Sequence, residues 1–67
     1  MKKKVRVELI HPVRDVRKLP TGSYNPNVDN IIGWGISTTN GIEFPAYREG
    51  KILFIPWTNI KAVFEVE

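Results

Sequence analysis

The stretch Lys51-Ile52-Leu53-Phe54-Ile55-Pro56-Trp57 constrains the fold more than any other part of the sequence. Successive residues of a strand point to opposite faces. Here Leu53 and Ile55 fill one face, while Ile52 and Phe54 fill the other. Neither face suits water, so the pattern predicts a strand inside a closed or doubly covered sheet, with the rest of the chain wrapped around it.

The size of the chain sharpens that demand. Its 67 residues have room for a single domain, residues 1–67. A domain this small buries only about 60% of the surface its unfolded chain exposes. Disulfides or metals often compensate, but the chain has no cysteine and one histidine, His11. Thiolate sites are excluded, and one histidine cannot build a zinc site, so neither metal nor cofactor is expected. Two remedies remain: an efficient closed barrel, or burial in an oligomer. Cysteine-free composition fits a reducing, cytoplasmic setting. The apolar residues after Lys2-Lys3-Lys4 are interrupted by Arg6 and Glu8, so no secretory leader is read there. No apolar run approaches the ~20 residues of a membrane span.

The remaining strands follow from alternation and turn chemistry. Val5, Val7 and Leu9 alternate with Arg6 and Glu8, a half-buried strand that Pro12 is expected to end. A long connection, His11 to Asn30, comes next. Val13, Val16 and Leu19 within it fit either a helical turn or an irregular arm, and their β-branched composition favours the arm. Residues 20–30 are turn formers throughout, and so long a connection in a small domain is usually functional or disordered. Ile32, Trp34 and Ile36 then alternate with Gly33, Gly35 and Ser37. The shared face predicts Trp34 in the core. The bare face predicts either a sharp bend or close approach by a ligand, and the bend is favoured. Asn40-Gly41 reads as a two-residue hairpin turn with positive φ at both residues. Ile42, Phe44 and Ala46 mark the third strand, and Arg48-Glu49-Gly50 a second tight turn. After the apolar stretch, Thr58-Asn59 favours a one-turn corner. Ile60, Ala62, Phe64 and Val66 mark the inner face of the last strand. The expected fold is all-β: a small five-stranded barrel with a long first loop and tight hairpins.

That order resembles the Src-homology-three-like small barrel, in which a long first loop precedes a three-stranded meander and a helical turn leads into the last strand. Ile55-Pro56-Trp57-Thr58-Asn59-Ile60 is similar to the segment before that last strand. The same stretch is similar to the second motif of Sm-like RNA-binding proteins. Where that family places an arginine-glycine pair, this chain has Pro56-Trp57, so the resemblance carries the barrel and its tendency to assemble edge to edge rather than the RNA pocket.

The functional expectation comes from charge. Residues 1–18 carry seven cations against two carboxylates, a net +5, while the rest of the chain carries −2. Catalysis is not expected: no acid, base or nucleophile stands at a telling spacing, and Gly33-Trp34-Gly35 lacks the helix and third glycine of a phosphate loop. Nucleic-acid sites on small barrels join a positive groove to aromatic platforms. Arg14, Arg17 and Lys18 on the arm, with Tyr24 beyond them, fit that pattern. So do Tyr47, Arg48 and Lys51 around the second tight turn, and Trp57 at the corner. The expectation is a non-catalytic protein that binds nucleic acid or another anionic, nucleotide-like ligand. The alternative is an oligomeric adaptor that binds protein, its lysine-rich first strand meeting the glutamate-rich last strand of a neighbouring copy.

Overall fold

The computed structural model describes residues 2–17, 27–46 and 51–66. Five strands form one antiparallel sheet: β1 (Lys2–Arg14), β2 (Asn27–Ser37), β3 (Gly41–Phe44), β4 (Leu53–Pro56) and β5 (Ile60–Glu65). A 3-10 turn over Trp57–Asn59 joins β4 to β5, the expected corner. The spatial order is β4-β3-β2-β1-β5, so the all-β expectation holds and the edges of the sheet are β4 and β5.

The core is a short set of aliphatics around one ring: Val5, Val7, Leu9, Ile31, Ile42, Phe44, Leu53 and Ile55. Phe44 and Val7 are fully enclosed. Val13, Val16, Val28 and Ile60 pack around this set. Val16 belongs to the arm, which tucks against the sheet as expected and gives no helix over its described residues. The Lys51 N–H donates to the Val16 carbonyl at 2.8 Å, tying the arm to the approach of β4.

Several expectations are corrected. The apolar stretch is an edge strand with one covered face: Leu53 and Ile55 are buried, while Ile52 and Phe54 are exposed. Pro12 does not end β1. The pairing with β2 changes register between Glu8 and Val13, and this irregularity carries the strand past the proline to Arg14. A bulge removes the need for the donor that proline lacks.

Strand β2 turns the face opposite to the one expected. Ile31 is buried across from Val7, and Gly33 stands across from Val5, so the glycines face inward. Trp34 is 56% exposed. Bulk was the wrong guide, because the interior is filled from elsewhere. A Cβ on Gly35 would lie 2.9 Å from Ile42 Cγ2 and 3.2 Å from Val5 Cγ2. Backbone close approach, rather than side-chain size, decides which face is inside.

The β2–β3 hairpin also differs. Thr38 N–H donates to Gly41 O at 2.8 Å, so Thr39 and Asn40 form the tip and Gly41 opens β3. Gly41 does not use a positive φ; its missing side chain makes room for the Ile55 carbonyl and the Phe54 ring. Strand β5 carries one extra residue, since Leu9 pairs with Ile60 but Glu8 pairs with Ala62. A one-residue bulge exchanges the two faces of a strand. Val63 therefore shares the face of Val7, and Phe64 turns outward beside Arg6.

Candidate functional site

The cationic arm does not survive as one surface. Arg17 is 5% exposed. Its Nε and Nη2 donate to Asp15 at 2.9 and 2.7 Å, and its Nη1 donates to the Ile32 carbonyl at 2.9 Å. The guanidinium also lies 5.3 Å from the centre of the Phe44 ring, over the space that Gly33 leaves open. A cation so deeply placed persists only with its charge and donors matched. Arg17 is thus corrected from a ligand contact to the pin that holds the arm on the sheet. Arg14 is exposed at the end of β1, opposite Asn27. Lys51 is exposed beside the arm. Lys18, Tyr24, Tyr47 and Arg48 lie outside the described residues.

Trp57 sits apart from the arm, against the β2–β3 hairpin. Its indole Nε1 donates to the carbonyls of Thr38 and Thr39 at 3.0 and 3.1 Å. These bonds fix the ring while leaving it 42% exposed.

A different surface emerges on the outer side of the sheet. Arg6 pairs across β1 with Ile32 on one side and with Phe64 on the other. Lys4 pairs with Trp34. Residues opposite one another share a face, and successive same-face rows lie about 7 Å apart along the strands. The outer surface thus carries Phe64, Arg6 and Ile32 in one row, then Lys4 and Trp34 in the next. Arg6 lies 4.6 Å from the centre of the Phe64 ring and donates to Glu8 at 3.2 Å. Ile32, Trp34 and Phe64 are all exposed. Flat apolar faces and cations alternate here on a rigid ladder rather than on a loop.

Nothing local in the sequence announced this surface. Lys2-Lys3-Lys4 reads as a charged terminus, but β1 begins at Lys2 and draws these residues into the sheet. The alternation of β1 puts Lys4 and Arg6 outward, which could be read. Their alignment with Trp34 and Phe64 depends on two pairing registers, one of them set by the bulge in β5.

Among the described residues no cluster of histidine, cysteine, aspartate or glutamate could hold a metal. No helix among the described residues is long and apolar enough to cross a membrane. Comparison of the chain with protein families, with curated proteins and with solved structures finds no match.

Proposed function

We propose that this chain is a non-catalytic binding module that takes single-stranded nucleic acid on the outer face of β1, β2 and β5. One observation carries the reading: the registers of β1 interleave Lys4 and Arg6 with Trp34, Ile32 and Phe64. Bases stack on exposed aromatic faces whatever their identity, and neighbouring cations meet the phosphates. The strand order and the one-turn corner support a small Src-homology-three-like barrel as the scaffold. Arg14 and Lys51 extend the positive field beyond the sheet face.

The test is a titration of short fluorescent single-stranded oligonucleotides at several salt concentrations, with Trp34→Ala in parallel. Binding that falls steeply with salt and is lost in Trp34→Ala supports the reading. Binding that ignores salt, or persists unchanged in Trp34→Ala, overturns it.

A second reading rests on the edges. Phe54 is exposed on β4, and Ile52 just before it; β4 is an edge strand whose outer side has no ladder partner among the described residues. An unpaired apolar edge invites a strand from a partner protein or from another copy. The pairing expected between the first strand of one copy and the last of another is corrected: β1 and β5 pair within the chain. A concentration-independent monomer in light scattering, with residues 52–54 freely exchanging amide hydrogens in every mixture tested, counts against self-assembly through β4.

A further inference from the structure

We infer that the inner face of the sheet carries, at the β1–β5 end, a site for a small aliphatic zwitterion, a free branched-chain amino acid. It is separate from the outer face discussed above and does not rest on it.

The cavity exists because β2 loses bulk on its inner side. Ile31 is followed on that face by Gly33, Gly35 and Ser37. Arg17 fills the space above Gly33, and Ile42, Val5 and Phe44 close over Gly35. Beyond Gly35 the inner side of β2 carries only Ser37, and a cavity of about 320 Å³ opens there. That volume is at the small end of the range for small-molecule sites, roughly 300–1,000 Å³.

The lining has two parts. Val5, Ile42 and Val63 form an aliphatic wall. Val5 and Ile42 belong to the core, but Val63, swung inward by the bulge in β5, stays 43% exposed. An aliphatic residue on the inner face of a sheet and still wet is a surface lacking its cover. Lys3, Glu65 and Ser37 form the rim. Lys3 Nζ and Glu65 Oε1 are 2.8 Å apart, with both side chains more than half exposed. The Ser37 hydroxyl has no hydrogen-bond partner among the described residues.

This rim selects the ligand by charge. It is neutral as a whole, so a lone carboxylate or a lone amine gains one partner only by stranding the other. A molecule carrying both charges inserts between them, its carboxylate to Lys3 and its ammonium to Glu65. Solvent-exposed ion pairs are weak, so opening this one opposes insertion little. The branched hydrocarbon of the ligand then covers Val63 and removes it from water.

The experiment is a titration of the isotopically labelled protein with L-leucine, followed by amide and methyl NMR. Saturable shifts confined to Gly35, Ser37, Ile42, Val63 and Glu65 are expected. 4-Methylpentanoate and 3-methylbutylamine, each carrying one of the two charges, should bind about two- to fivefold more weakly. Lys3→Gln and Val63→Lys change exposed positions and should fold. The first should weaken leucine binding about two- to fivefold, and the second should abolish it. Trp34→Ala should leave leucine binding unchanged, which separates this site from the outer face. Absence of saturable shifts in the folded protein overturns the inference. So do equal affinity for the two single-charge analogues, and shifts that persist in Val63→Lys.

Discussion

Lys4 stands directly across the β1–β2 ladder from Trp34, so a flexible cation and an exposed indole share one patch of rigid backbone. The pairing separates stacking from charge experimentally. Trp34→Ala should weaken single-stranded oligonucleotide binding by about 1–3 kcal/mol, the usual worth of one base stack. Thermal unfolding should barely move, because the side chain is largely in water. Fluorescence titration and a melting curve read the two quantities together.

Lys4→Ala should act differently. It removes a cation without removing a platform, so affinity for nucleic acid should fall for every sequence alike. The slope of log affinity against log salt should drop by roughly 1. An unchanged slope would place the phosphates elsewhere.

Asp15→Ala tests the arm. Asp15 and Arg17 are both largely buried, at 14% and 6% side-chain exposure. Removing the carboxylate breaks the 2.7 Å pair between Asp15 Oδ2 and Arg17 Nη2, and breaking a buried pair typically costs about 3–5 kcal/mol. For so small a domain that loss approaches the whole stability. Urea denaturation should show it, and high salt should not rescue it, because the pair is shielded from solvent ions.

Gly35→Ala should destabilise although alanine is the milder residue in most strands. The added methyl meets Ile42 Cγ2 and Val5 Cγ2 inside ordinary contact distance. Overpacking of this kind costs about 1–3 kcal/mol. The melting temperature should fall by roughly 4–8 °C for each kcal/mol.

The Lys3–Glu65 pair gives a pH signature. Its hydrogen bond and charge attraction hold the Glu65 carboxyl below its ordinary 4.5 and raise the Lys3 ammonium above 10.5. Stabilisation from Glu65 is therefore present above the ordinary carboxyl value and is lost as pH falls through the lowered one. Stabilisation from Lys3 is present below its ordinary value and is lost as pH rises through the raised one. Both groups are solvated, so the effect on unfolding should be slight. In Lys3→Gln the Glu65 carboxyl should titrate nearer 4.5, as followed by NMR.

Particular residues mark how far the sequence could be read. The period of two placed Val5, Val7 and Leu9 in the core, and Ile42 with Phe44, because alternation is local. Thr58-Asn59 gave the corner for the same reason. Trp34 faces outward against expectation because its face depends on what fills the opposite side: Arg17 and Phe44 at Gly33, and Ile42, Val5 and Phe44 at Gly35, all from outside β2. Phe64 was misplaced by one extra residue opposite β1, which no local pattern reports. The outer row of Lys4, Arg6, Ile32, Trp34 and Phe64 escapes a local reading for the same cause, since it exists only when three strands are in register. The charge of Arg17 points to a ligand, but Asp15 two residues before it is the partner it takes.

The extra residue in β5 has a consequence for insertions and deletions. Deleting Lys61 would only make the ladder regular, with Ala62, Val63 and Phe64 still across from Glu8, Val7 and Arg6. One residue added between Ala62 and Val63 would do far more: every later side chain would trade places, sending Val63 to the solvent and Phe64 inward. Both surfaces described above would be rewritten at once by a single extra codon, with no substitution among the residues that form them.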